Sequence, residues 1–393
     1  MSLRKRLQGP SWPSMVMALA LIAGVSAQSP AVVGQPLGPW TPGTLEIHQI
    51  STGRGNAAFS ILPDGKTLLF DAGEAGAIKY ADEMPNDTQT PGEWIVRYIT
   101  RAMAGRDPVI DFAVISHFHV DHMGAIAHVG AAIPVRALID RGDAYATPPA
   151  TDQVYAGYRA FAEAMKSRGT RRETARAGSA DQVTSSTPGF SVRVISVNDQ
   201  IWTGAGNRSA TRFPPLASVA ADDRPTENMC SVTLRMSYGK FDYFTGGDMP
   251  GYPNPGGPAW HDLESAVARV IGPTDALVIN HHGSIESANP TFLSTLKPRV
   301  MIVPAWSPTH PSPDVLKRML ATKVYPDPRD IFVVALREPT KATIGARASQ
   351  VASDHGHVVI RVEPGGDRYW VIVLDDTKEL PVVRSVHGPY AAQ

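Results

Sequence analysis

The sequence predicts an α/β protein of the layered αββα kind, two mixed β-sheets packed face to face with helices outside. Three observations predict it. Short apolar or alternating runs of strand length open and close the chain. Segments with helical spacing lie between them. Polar, chemistry-bearing residues collect where apolar runs end, at 117–122, 248, 281–282 and 310.

Taken in order, Leu45-Glu46-Ile47-His48-Gln49-Ile50 alternates with period two, as a strand does. Residues 56–62 and 66–70 flank Pro63-Asp64-Gly65 and read as a hairpin, whose second strand ends in Asp71-Ala72-Gly73. Residues 93–103 carry Trp94, Ile95, Tyr98, Ile99 and Met103 at helical spacing. Residues 111–116 form a buried strand, and a helix begins over 124–129. Another helix covers 154–165, and 170–189 reads as a polar loop. Strands follow at 191–197, 230–236 and 241–245, then a helix at 263–271 and a strand at 276–280. The pattern continues with a helix at 290–296, a strand at 300–304 and a helix at 313–320. Strands at 331–336, 357–362 and 369–374 close it.

Residues 28–44 are rich in Pro, Gly and Ala and read as a linker. One domain is expected over 45–380, with 141–227 as an insert over the site and 381–393 as a tail. A length of 393 residues with 43% hydrophobic content is enough for one large core. Residues 1–27 read as a signal peptide. Arg4, Lys5 and Arg6 precede an apolar run from Met15 to Val25, and Val25-Ser26-Ala27 offers the small residues at which cleavage occurs. That run is short for a bilayer span, and no other stretch is long and apolar enough to be one. The expected product is exported, periplasmic or secreted, with no membrane span after cleavage. Lys+Arg and Asp+Glu each total 37; loss of the leader leaves 34 basic against 37 acidic residues. That balance argues against strong nucleic-acid binding. Cys230 is the only cysteine, so no internal disulfide forms, and it reads as a small core residue.

The most specific signal is His117-Phe118-His119-Val120-Asp121-His122, directly after the apolar 112–116. At a strand end, His117 and His119 point the same way, while Asp121 and His122 come from the following turn. Two adjacent cations suit this better than one. His117 and His119 would serve the first, Asp121 and His122 the second. Imidazole with carboxylate suits zinc, and also manganese or iron. Asp248 ends a strand after two glycines, which let the backbone approach closely, so its carboxylate can sit between the ions. His281 and His282 end another apolar strand and point apart, one toward metal and one toward substrate. His310 lies in the proline-stiffened Ser307-Pro308-Thr309-His310-Pro311. His128, His261 and His387 read as ordinary surface or core histidines; His355 and His357 flank Gly356 near the start of a late strand.

With these residues the chain resembles the metallo-β-lactamase superfamily of metal-dependent hydrolases. Its closer resemblance is to the ComEC-type branch, the hydrolase domain of competence DNA-channel proteins and its stand-alone relatives. The residues that carry it are Gly53-Arg54-Gly55-Asn56-Ala57, Phe70-Asp71-Ala72-Gly73, the 117–122 motif, Asn228 with Ser231, Thr245-Gly246-Gly247-Asp248, His281-His282-Gly283-Ser284 and His310-Pro311. Lactamases and lactonases place a further histidine before the bridging Asp; this chain has none between His128 and Asp248, and Asn228 lies where it might stand. The resemblance implies that the first ion takes its remaining ligand from the His281–His282 pair, with His282 the ligand and His281 at the substrate. His310 would close the second site, and Asp71 and Asn228 would support the ligands. Asp121 would orient the attacking oxygen and His281 would donate a proton. The implied activity is metal-dependent hydrolysis of phosphodiesters or phosphate esters. The alternatives are ester, lactone or lactam hydrolysis, and a non-catalytic, metal-stabilised nucleic-acid-binding module.

Overall fold

A hairpin sets the frame. In the computed structural model, which describes residues 31–74, 83–143, 152–252 and 257–393, β1 (Leu45–Gln49), β2 (Ala58–Ile61) and β3 (Thr67–Phe70) run antiparallel in succession. The expected leader, residues 1–27, lies outside the described residues. Helix α1 (Pro91–Ala102) starts two residues earlier than its apolar spacing suggests. Thr90 and Glu93 form a reciprocal capping box, and Pro91 suits the first turn, where no N–H is required. Trp94, Ile95, Tyr98 and Ile99 are its buried face.

The chain then switches to parallel pairing. β4 (Phe112–Val114) lies beside β3. The short α2 (Val120–Met123) and α3 (Ile126–Ala132) lead to β5 (Ala137–Asp140), and α4 (Gln153–Ser167), capped by Asp152, to β6 (Arg171–Thr174).

The second sheet begins with β7 (Phe190–Val197), β8 (Gln200–Trp202) and β9 (Ser209–Thr211). Next come β10 (Thr233–Tyr238) and β11 (Phe241–Thr245), then α5 (Leu263–Ile271), β12 (Ala276–Val278), α6 (Pro290–Leu296), β13 (Val300–Val303), α7 (Pro313–Leu320), β14 (Asp330–Val333) and α8 (Glu338–Ile344). From β11 to β14 the strands are parallel, each joined to the next by a crossover on the outer face. The chain finally returns to the first sheet through β15 (His357–Val362), β16 (Arg368–Leu374) and β17 (Val383–Ala391).

The strand orders are β17-β16-β15-β1-β2-β3-β4-β5-β6 and β14-β13-β12-β11-β10-β7-β8-β9. The fold is therefore an αββα sandwich of two mixed sheets. Ile47, Phe70, Leu234, Tyr243, Ile302 and Val371 belong to the core between the sheets. A second core packs the first sheet on α1, α3 and α4 through residues such as Phe59, Ile99, Val129 and Ala162; a third packs the other sheet on α5, α6 and α7 through Phe244, Val267, Phe292 and Leu316.

Two expectations change. Residues 381–393 are not a free tail, because Val383–Ala391 pairs along β16. Much of 141–227 builds the sandwich instead of covering it: β6 extends the first sheet, and β7 pairs with β10 inside the second. β6, with the sequence Arg171-Arg172-Glu173-Thr174, lacks an apolar period because it is an exposed edge strand. Among the described residues, no helix is long and apolar enough to cross a membrane.

Candidate metal centre

The ends of parallel strands from both sheets meet at one rim, the usual place for ligand chemistry in α/β layers. Asp71 follows β3, the 117–122 loop follows β4, Asp248 follows β11, His281–His282 follow β12 and His310 follows β13. Each apolar strand is buried deep in the sandwich, so its first polar residues emerge at a fixed height.

Close approach needs glycine at one point. Gly247 has φ +56°, and a Cβ there would stand 2.8 Å from the Ser116 Cβ. Glycine before Asp248 therefore lets the second sheet's loop touch the first sheet's loop. His281 and His282 have φ of +47° and +54°, an uncommon conformation for residues with a side chain.

Two groups of donor atoms converge. Asp121, His122, Asp248 and His282 form one; His117, His119 and Asp248 form the other. Asp248 is shared, with its Oδ1 3.1 Å from His122 Nε2 and its Oδ2 3.7 Å from His117 Nε2. His282 Nε2 is 3.1 Å from Asp121 Oδ2 and 3.2 Å from His122 Nε2. His117 Nε2 is 3.1 Å from His119 Nδ1.

The surrounding hydrogen bonds orient these rings. Asp71 is wholly buried, and its carboxylate accepts from Ser116 N (2.7 Å), Ser116 Oγ (2.9 Å), Asn56 Nδ2 (2.9 Å) and His122 Nδ1 (2.7 Å). His282 Nδ1 donates to the Pro304 carbonyl at 3.0 Å. Ser116 gives its proton to Asp71, so its oxygen accepts from His117 Nδ1 at 3.0 Å. With all three Nδ1 atoms bonded outward, each ring turns its Nε2 inward.

Lone pairs and carboxylate oxygens then face each other at little more than 3 Å, and the buried Asp248 Oδ1 has no hydrogen-bond donor. That arrangement requires positive charge. Burial lowers the His122 pKa, but Asp248, Asp121 and Asp71 outweigh it and hold His122 well above its ordinary value. Burial acts upward on Asp248, and His122, His281 and His282 override it and hold Asp248 well below the usual carboxylate range. His117 goes the other way: burial and neighbouring His122 keep it neutral, well below its ordinary value. A proton or a metal cation can each supply the missing charge. The donor set, imidazole with carboxylate, fits a pair of divalent cations such as zinc.

Three residues take places other than those expected. His282 joins Asp121 and His122, not the His117–His119 group, because its Nδ1 bond to Pro304 turns Nε2 that way. His310 is near but outside both donor groups. Its ring stacks on His282 at 5.2 Å and 19°, and its buried Nδ1 has no partner. Burial and His282 push its pKa down to about 3. His281 faces Asp248 Oδ2 at 3.6 Å from the open side and pairs through Nδ1 with Glu286. Burial opposes protonation there, but Asp248 and Glu286 raise it to about 9. Asn228 Nδ2 lies 3.4 Å from the His281 ring nitrogens, so it adjoins that histidine instead of a donor group.

His261 bonds the Asp223 carbonyl, and His357 Nδ1 accepts from Ser51 N–H; neither is in a donor group, nor are His128, His355 and His387. Cys230 is buried in the helix-side core, and burial pushes its thiol up to about 12.

Sequence reasoning missed Ser116, Glu227 and Arg141. Glu227 Oε1 accepts the Phe118 N–H at 2.7 Å, between the two ligating-type histidines. Fully buried Arg141 grips both Glu227 oxygens at 2.7 and 2.6 Å, and its guanidinium lies 4.4 Å over the Phe118 ring. Ser116 was legible as the residue before the motif. Glu227 had no signal, being one acid in a polar loop far along the chain.

Residues 52–197 match the family model described as metallo-beta-lactamase superfamily. This part of the chain is similar to the metallo-β-lactamase superfamily. Asp248, His281, His282 and His310 lie beyond the matched span. Among solved structures, the chain is similar to a mutant of the CmlA β-hydroxylase, with 14% identity over 74% of this chain and TM-score 0.41. It spans about half of that protein, 52% of its length. It is also similar to a putative metal-dependent hydrolase from Parabacteroides distasonis (11% identity, 75% of this chain, 94% of that one, TM-score 0.38). A third is Igni18, a metallo hydrolase from Ignicoccus hospitalis (10%, 82%, 96%, TM-score 0.34). No curated protein matches the chain.

Proposed function

We propose that this protein is an exported metallohydrolase that cleaves phosphodiesters or related phosphate esters at a dinuclear centre. The observation that carries the hydrolase reading is the convergence of His122 Nε2, His282 Nε2 and both Asp248 oxygens while each Nδ1 bonds outward. His117, His119 and Asp248 would hold one cation, and Asp121, His122, His282 and Asp248 the other. Two divalent cations held there would supply a nucleophile at neutral pH and charge stabilisation in the transition state.

The chain's own residues do the rest. Asp121, more exposed than the other donors of its group, orients the attacking water and accepts its proton. The water oxygen adds to phosphorus as the ester P–O bond breaks. His281, held at Nδ1 by Glu286, gives the proton on Nε2 to the leaving oxygen. Asp71 and Ser116 keep the imidazoles aimed throughout. The phosphate preference rests on the ComEC-type resemblance and on the absence of a histidine between His128 and Asp248. Export rests on residues 1–27.

The test is metal analysis of the purified protein together with turnover of bis-(p-nitrophenyl) phosphate under zinc and under manganese. About two equivalents of metal and metal-dependent release of nitrophenol are expected. A metal-loaded, folded protein that leaves this ester intact but opens nitrocefin or a lactone would replace the phosphodiesterase reading with the ester, lactone or lactam one.

A further inference from the structure

A second cluster of buried polar side chains lies on the outer face of the first sheet. Alternation along β1 turns Glu46 and His48 toward that face, away from the core between the sheets. Their cross-strand neighbours include Ile61 and Phe59 on β2 and Val359 on β15. An apolar pair would fit there, yet Glu46 and His48 are 2% and 1% exposed. His48 Nε2 is 3.0 Å from Glu46 Oε2, and its Nδ1 is 3.0 Å from the Tyr98 hydroxyl of α1. Arg361 pairs with Glu46 Oε1 at 2.8 Å and also donates to the Gly38 carbonyl at 2.8 Å.

Glu46, His48 and Tyr98 line a cavity of about 480 Å³. Its other walls include Pro36, Leu37, Pro39, Ala102, Leu374 and Pro381, rigid and apolar; Arg101 also contributes. It shares no residue with the metal centre. Its size falls in the range of small-molecule sites, as does the pairing of apolar walls with a few convergent polar groups.

The hydrogen-bond directions define what fits. Glu46 is ionised against Arg361, so its carboxylate only accepts and His48 Nε2 must donate. The tautomer with its proton on Nε2 leaves Nδ1 to accept the Tyr98 proton. The Tyr98 oxygen keeps lone pairs and has no proton to offer. Glu46 and Arg361 already balance in charge. We propose that this cavity is a binding site, separate from the metal centre, for a largely apolar small molecule whose hydroxyl donates to the Tyr98 oxygen.

The test uses 2-naphthol and its donor-less counterpart 2-methoxynaphthalene, titrated into the full chain by calorimetry. One saturable site is expected for 2-naphthol, with the methyl ether about tenfold weaker, the value of one hydrogen bond. Tyr98→Phe should erase that difference. Ala102→Trp or, independently, Leu37→Trp should fill the cavity and remove binding while zinc stoichiometry stays that of the parent. Leu37 lies outside the sheets, and the melting temperature checks that its variant keeps the fold. Absence of saturable 2-naphthol binding at 1 mM, about the weak end of small-ligand affinities, overturns the proposal. So does binding that survives both filling variants, or a preference for the alcohol that persists in Tyr98→Phe.

Discussion

Two buried polar clusters of this molecule solve opposite problems. In the Tyr98–His48–Glu46–Arg361 chain His48 links the Tyr98 hydroxyl to Glu46, and the charges of Glu46 and Arg361 balance. At the rim, Asp71, Ser116 and Pro304 take the outward protons of three imidazoles and leave acceptors facing acceptors. A satisfied network contributes rigidity by itself. A centre of converging lone pairs is stable only with a cation in it. The lesson is that burial of polar residues does not mark a metal site; the direction in which their hydrogen bonds run does.

That contrast is breakable by mutation. The largest effect is expected from Asp248→Ala, which removes the carboxylate common to both donor groups. Bound metal should fall from about two equivalents to one or none, and phosphodiester turnover by roughly a thousandfold or more. A chelator should lower the melting temperature of the parent and leave that of Asp248→Ala unmoved. Glu46→Leu should behave in reverse. It strands Arg361, costs about 3–5 kcal/mol in denaturant unfolding, and keeps the full chelator response.

Glu227→Leu should cost a similar amount, because it leaves Arg141 buried without its partner. Arg141→Met with Glu227→Gln restores a neutral pair and keeps an acceptor for Phe118 N–H, so stability and metal binding should both recover. Asp71→Asn should weaken zinc affinity by about 10–100-fold, measured by chelator competition, with the fold retained. His310→Ala should leave the metal count unchanged, since His310 stands outside both donor groups.

The smallest effect is one of pH. Burial outweighs the bonds that Glu264 accepts from Asn289, Asn280 and Ala288, and raises its pKa to about 7. A carboxyl raised on folding contributes stability that is complete below about pH 4.5 and is lost as pH climbs through 7. The parent should therefore lose up to about 1.4 kcal/mol per pH unit across that window relative to Glu264→Gln. Parallel stability–pH curves for the two proteins would refute this origin.

Much of the architecture was legible because buried strands and amphipathic helices advertise their period. Residues 241–245, 263–271, 290–296, 313–320 and 357–362 have the bounds their patterns suggest. The edge strands β6, β9 and β17 were not, since a strand exposed along most of its length carries no apolar period. Within the centre, the 117–122 loop was readable because its donors are contiguous. Asp248, His281 and His282 were readable as strand-end residues, but their grouping was not.

The sequence by itself determined the two-sheet sandwich, the histidine-rich loop and the strand ends that deliver each donor, because periodicity and local turns are properties of neighbouring residues. Only the tertiary structure decided that His282 stands with Asp121, that His310 stacks behind it, and that Glu227 and Arg141 brace Phe118. Those facts depend on which ring nitrogen meets which distant acceptor, and that is fixed when the two sheets close, not by the spacing of residues along the chain.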